Sequence, residues 1–284
     1  MTSKPAEKKG SFSRVCLMEC DSNGRLPAKL IVKYHNTETL FYEHARNVAG
    51  VPRIFLSRPL TVDDRKGIIC MEHLEGAHTR PVYENISIEE MKSRPVIQAG
   101  NGYFKKAADT HSKTYSNDSL GAGNDVNASG TRPVTPTSRK SHDAFHHLLV
   151  HGDLYSSNIL WQNGIVKAVI DYQMVHYGNP VEDLVRLLTT GLRVSERKAH
   201  TTELLDYYRR QITSLIPDSE GSLTVDWLWS CYEKIFPMAG LWAMISLHAS
   251  FESATSHAPP DSIKLKTVVE KIHGIATEIV EMFS

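Results

Sequence analysis

The stretch from His151 to Asp171 constrains this chain more than any other. His151-Gly152-Asp153-Leu154-Tyr155-Ser156-Ser157-Asn158 runs into Ile159-Leu160-Trp161, then Gln162-Asn163-Gly164, then Ile165 to Asp171. Asn-Gly between two apolar runs is a strong short hairpin signal, because both residues accept positive φ at low cost. Such a hairpin carries Asn158 at one foot and Asp171 at the other. Two oxygen ligands presented in this way, with phosphate oxygens completing the shell, suit Mg²⁺, which takes few protein ligands in near-octahedral geometry. Asp153 lies five positions before Asn158 on the loop entering the hairpin. A carboxylate there is placed to orient an acceptor hydroxyl and take its proton as a phosphoryl group arrives. A lone His-x-Asp is weak evidence, and a lone Asp at the end of a strand is usually a turn or cap residue. The joint occurrence of His-x-Asp, the spaced Asn, the Asn-Gly turn and a terminal Ile170-Asp171 is what carries the reading.

The flanking sequence divides into a strand-rich part and a helical part. Val15 to Glu19 and Leu30 to Lys33 are short apolar runs around the turn-forming Asp21-Ser22-Asn23-Gly24, so they read as an antiparallel pair. Thr37 to Val48 has helical spacing, with Asn36 placed as its cap. Arg53 to Ser57 and Gly67 to Glu72 read as two further strands around Asp63-Asp64-Arg65-Lys66. From about Ser93 to Asp143 the chain is dominated by Ser, Thr, Asn, Gly and Pro, too little apolar surface to order itself, and a flexible insertion is expected at 93–143. Helical patterns resume at Val181 to Gly191, Glu196 to Leu215, Val225 to Phe251 and Ser262 to Phe283. The expected fold class is therefore α+β.

Composition narrows the partners. Lys plus Arg and Asp plus Glu each number 32, so no net field draws the chain to nucleic acid or an anionic membrane, and a small-molecule partner is expected. The four cysteines are irregularly spaced and Met1 leads into a polar, Lys-rich stretch, which points to a reducing, cytoplasmic setting. The longest apolar tract, Ile235 to Phe251, contains Pro237, Ser246 and His248 and reads as a buried helix rather than a membrane span. His142, His146, His147 and His151 include pairs four apart, but ordinary packing around Phe145 and Leu148 to Val150 is the better reading than zinc.

The motif around Asp153, Asn158 and Asp171 resembles the catalytic loop and metal hairpin of kinase-like phosphotransferases such as aminoglycoside phosphotransferases and choline kinases. The match to protein kinases is poorer, because Asp171 is followed by Tyr172-Gln173 rather than Phe-Gly. Nearer still is the ecdysteroid-kinase-like, or CHK-kinase-like, group. His151 to Trp161, Ile170 to Arg186 and Met71 to Arg80 all look like its sequences. This resemblance implies a bilobal protein kinase-like fold, with residues 1–72 as a shortened N-lobe and 73–284 as the C-lobe. It implies an ATP-dependent transfer of phosphate, with Mg²⁺, to the hydroxyl of a small molecule, sterol-like or otherwise lipophilic. By the same likeness Lys33 is the strand lysine that contacts the nucleotide phosphates, and Glu38 is its helix partner. Met71, Glu72, His73 and Leu74 supply the hinge that reads adenine. Gly10 and Ser11 belong to the nucleotide-covering loop, which starts so near Met1 that little chain remains for a strand before it.

From the residues alone, Lys33 and Glu38 are either a salt bridge aimed into the cleft or two solvated charges. Asp183 either braces the loop at Asp153 or favours its own helix N-terminus, and Arg186 pairs with it or with a neighbour one turn away. The departures in the first lobe and at 93–143 leave a second reading: an idle relative that binds nucleotide or a partner without catalysis.

Overall fold

A computed structural model describes residues 7–9, 14–19, 27–34, 38–44, 50–59, 67–92, 148–215, 217–219, 221, 223–256 and 261–284. The expected insertion at 93–143 lies outside the described residues, as do Gly10, Ser11, Asn36, His142, His146 and His147. The fold is α+β and bilobal.

The first lobe is an antiparallel sheet of β1 (Glu7–Lys9), β2 (Arg14–Glu19), β3 (Lys29–Tyr34), β4 (Ile54–Arg58) and β5 (Ile68–Glu72), in the order β1-β2-β3-β5-β4. β2 and β3 pair as the sequence predicts, with Val15 opposite Lys33 and Lys33 opposite Ile69. β1 corrects one expectation: three residues before Gly10 suffice to pair with β2, Lys9 lying opposite Arg14. Side chains alternate between the faces of a strand, so Ile31 and Lys33 look the same way. Their partners Met71 and Ile69 belong to the main core, which places Lys33 on the inner face. Helix α1 (Glu38–His44) follows and turns its Phe41 and Tyr42 into that core.

The second lobe opens with β6 (His78–Thr79) and the single-turn α2 (Ile88–Met91), whose capping box joins Ser87 and Glu90. β7 (Leu148–Val150) leads into the loop at Asp153 and pairs with β10 (His176–Gly178). Between them stands the predicted hairpin, β8 (Ile159–Gln162) and β9 (Ile165–Val169). Its turn residues Asn163 and Gly164 have φ of 53° and 72°. Four helices complete the lobe: α3 (Val181–Gly191), α4 (Val194–Leu215), α5 (Val225–Thr255) and α6 (Ser262–Met282), within a few residues of the predicted spans. α5 runs through Pro237, held by Leu228, Tyr232, Phe236, Ala239, Ala243 and Leu247, all buried at helical spacing. No described helix is long and apolar enough to cross a membrane.

One buried cation ties these elements together. Lys271 on α6 is 1% exposed, and its Nζ donates to the carbonyls of Val82 and Thr190, each at 2.6 Å. Thr190 lies in the last turn of α3, where carbonyls lack helical partners. Burial pulls the Lys271 ammonium down to about 7 from 10.5, and the charge of Glu270 opposes that only in part. A neutral amine still has two N–H donors for the two carbonyls. Because the folded-state value lies below the unfolded one, the unfolded chain binds the extra proton between about pH 7 and pH 10.5, and stability rises with pH across that window. The melting temperature of the wild type should therefore gain on that of Lys271→Met between pH 7 and pH 10; parallel curves would contradict this.

Candidate active site

A lysine and two acids join the lobes. Lys33 Nζ lies 2.5 Å from Glu38 Oε2 and 2.5 Å from Asp171 Oδ1. Lys33 and Glu38 are buried, so the salt-bridge reading holds and that of two solvated charges does not. The other oxygen of Glu38, Oε1, accepts from the Tyr172 backbone N–H and the Tyr42 hydroxyl, both at 2.9 Å. A carboxylate this deep is tolerated because a cation and two donors surround it.

Tyr172 then closes the seam. Its ring stacks on Phe41 with centroids 4.0 Å apart and touches His151 at 4.5 Å. Asp171, which precedes it, has φ of 70°, a left-handed conformation uncommon outside glycine. Such strain costs about 1–3 kcal/mol and persists where surroundings over-determine it. Here the Lys33 ion pair holds the side chain of Asp171 while burial of Tyr172 fixes the next residue.

The loop at Asp153 is fixed from beneath. Asp183 on α3 accepts from the backbone N–H groups of His151 at 2.8 Å and Gly152 at 3.0 Å, so it braces the loop rather than its own helix end. Burial raises the Asp183 carboxyl to about 7 even against those two donors. His151 is buried, which lowers it to about 4 and keeps it neutral at ordinary pH. Its Nδ1 accepts from the Asp153 N–H at 3.2 Å, so Nε2 carries the proton and donates to the Ile170 carbonyl at 3.0 Å. Gly152 has φ of +76°, and a Cβ there would stand 2.3 Å from the Met174 carbonyl oxygen.

Asp153 itself is mostly buried. Burial raises its pKa, and Arg186 opposes the rise through charge and a hydrogen bond. Arg186 on α3 donates from Nη2 to Asp153 Oδ1. This corrects the expectation that Arg186 pairs along its own helix; three residues beyond Asp183, it reaches the same loop from the same face. Asn158 sits in a single 3-10 turn and donates from Nδ2 to the Asp153 carbonyl at 2.9 Å. Its Oδ1 is thereby left for another partner. The Ile170 N–H donates to the Asn158 carbonyl at 2.9 Å, which draws the two feet of the hairpin together as predicted.

The remaining predicted residues are placed unevenly. Met71 and Glu72 end β5, and His73 and Leu74 continue outside any strand toward the turn at Glu75-Gly76. The Glu72 N–H donates to the Arg53 carbonyl at 2.8 Å, and the Leu74 carbonyl accepts from the Ala77 N–H at 3.1 Å, so these two backbone groups of 71–74 already have partners. Gly10 and Ser11 lie outside the described residues, between strands β1 and β2.

A model of the family DUF1679, described as "Uncharacterized oxidoreductase dhs-27", matches residues 28–102 and 141–284. The chain belongs to this family. It is 30% identical over 134 residues to "Uncharacterized kinase-like protein D1044.1" of Caenorhabditis elegans, a match covering 46% of this chain and 34% of that protein, so the chain spans about a third of that relative. Among solved structures it is similar to a macrolide 2'-phosphotransferase of Brachybacterium faecium, at 13% identity over 94% of this chain and 91% of that one, with a TM-score of 0.45. It is also similar to an aminoglycoside phosphotransferase of Streptomyces rimosus, at 14% identity over 79% and 92% of the two chains, with a TM-score of 0.41.

Gly152 and Gly164 provide a matched pair for the loop. Both have positive φ, but the nearest atom to an added Cβ at Gly164 is Glu90 Oε1 at 3.9 Å. Gly164→Ala should cost about 1–2 kcal/mol in urea unfolding, the left-handed penalty alone. Gly152→Ala adds a backbone clash and should cost at least about 1 kcal/mol more. Equal losses would contradict the close approach of Met174.

Proposed function

We propose that this chain is an ATP-dependent phosphotransferase acting on a hydroxyl group of a small molecule. The observation that carries the reading is the convergence of Lys33, Asp171, Asn158 and Asp153 from β3, the end of β9 and one intervening loop, on the seam between the lobes. Lys33 is the group for the nucleotide phosphates, with Glu38 setting its position. Asn158 Oδ1 and the Asp171 carboxylate are the oxygen donors that would hold Mg²⁺, and the donor set fits, being two hard oxygens at adjoining backbone positions. When bound, the ion supplies charge neutralisation for the phosphates. Asp153 aligns the acceptor hydroxyl and takes its proton. Phosphoryl transfer needs positioning and charge neutralisation more than covalent help, which suits a site made of braces.

The acceptor class follows the resemblance to the ecdysteroid-kinase-like group: a lipophilic alcohol, sterol-like among the candidates. Met174 and Tyr177, both exposed on the segment packed against Gly152, offer apolar surface at the same end of the loop. The family description's word "oxidoreductase" is said of another protein. In this chain every described strand pair is antiparallel, whereas dinucleotide sites of the doubly wound kind sit at the ends of parallel strands.

One observation favours a second reading. Arg186 occupies Asp153 Oδ1, and a carboxylate so clamped suits an idle, nucleotide-binding relative. Two measurements separate the readings. Mg²⁺-ATP at 100 times its dissociation constant should stabilise the chain by about 2.7 kcal/mol, and Lys33→Met should lose most of that gain. Incubation with labelled ATP and a metabolite extract should yield phosphorylated products that disappear in Asp153→Ala and persist in the surface variant Lys266→Ala. Stabilisation without products supports the idle relative; products undiminished in Asp153→Ala overturn the role of that residue.

A further inference from the structure

Helix α5 carries an apolar stripe on the face turned away from the core. Met238 is 64% exposed, Leu241 50%, Trp242 48% and Ile245 60%, and their spacing of three and four residues lines them along two turns. A contiguous run of large exposed apolar side chains of this kind marks an interaction site rather than scattered surface. The ends of the same stripe are charged. Lys234 lies on it toward the N-terminus and Glu252 toward the C-terminus, both exposed.

We propose that this stripe is a self-complementary interface through which two copies of the chain associate by an antiparallel two-fold pairing of α5. The observation that selects a second copy as the occupant is the arrangement of charge about the stripe's middle. Level with Ala243, Lys234 lies nine residues to one side and Glu252 nine to the other, while Leu241 and Ile245 lie two to either side. A two-fold axis at that level sets Leu241 of each copy against Ile245 of the other. It also sets each Lys234 against the Glu252 of the opposite copy. Such isologous pairing, with the same patch used twice, is the commonest way soluble chains associate. Glu252 has its own helix neighbour, His248, at 3.5 Å, but that contact is exposed and leaves the carboxylate accessible. A parallel arrangement would set lysine against lysine and carboxylate against carboxylate.

A single helix pair is small beside standard interfaces, so the dissociation constant is expected at about 1–100 µM. Sedimentation of the full chain across that range tests the proposal independently of any activity. Leu241→Glu should weaken the dimer at least about tenfold. Ile245→Lys repeats the test should Leu241→Glu disturb folding, which circular dichroism would register. Lys234→Glu and Glu252→Lys should each weaken it about threefold or more, and the double exchange Lys234→Glu with Glu252→Lys should return it to near the wild-type value. A chain that stays monomeric to about 200 µM overturns the interface on the affinities expected for it. So does a dimer indifferent to both Leu241→Glu and Ile245→Lys. A double exchange no tighter than either single one overturns the antiparallel register.

Discussion

The structure depends on one buried lysine with an acid on either side. Lys33 belongs to a sheet, Glu38 to the helix behind it, and Asp171 to the hairpin of the other lobe, so a single ammonium fixes the relation of three elements. Each partner is expensive on its own. Glu38 is fully buried and Asp171 stands in a left-handed conformation, and either would relax away if the lysine were missing. Breaking a buried pair by removing one member typically costs about 3–5 kcal/mol, because the other charge is left uncompensated. That cost resists any shift of the first sheet against the hairpin. The same ammonium pairs with Asp171, one of the two residues proposed to hold a metal nucleotide, so the contact that orders the fold also orders the site.

A second layer of order comes from α3. Asp183 and Arg186 are one turn apart and reach the same three-residue loop, one through backbone N–H groups and the other through the Asp153 side chain. Neutral His151 completes the frame by bonding Asp153 on one side and Ile170 on the other. Loop and hairpin are thereby one hydrogen-bonded unit, and a change in α3 packing passes directly to Asp153. Lys271, which holds the far end of α3, extends this dependence to α6.

What could be read in the sequence follows from how local each signal is. The hairpin was legible because Asn163-Gly164 states its own backbone requirement, and the helices were legible because burial repeats at their period. Asp153, Asn158 and Asp171 could be grouped because a short loop and one hairpin leave them nowhere else to go. The pairing of Lys33 with Glu38 stayed open from spacing alone, since exposure decides whether such charges meet, and exposure is a tertiary property. Helical spacing points Arg186 along its own helix, where most such residues pair; its partner lies on a loop that only the fold brings within reach. Tyr172 gave a faint signal, an aromatic directly after the acid, but nothing in the sequence names Phe41 as its partner. Lys271 gave none, because its acceptors are backbone carbonyls. Strand β1 gives no sequence signal, because three charged residues carry no apolar alternation.

The most direct test of the account is a crystal structure with Mg²⁺ and a non-hydrolysable ATP analogue. The account predicts a metal bound through Asn158 Oδ1 and Asp171, with Lys33 on the phosphates and Asp153 facing the terminal one. Nucleotide bound elsewhere, or a metal held by residues other than these two, would contradict it.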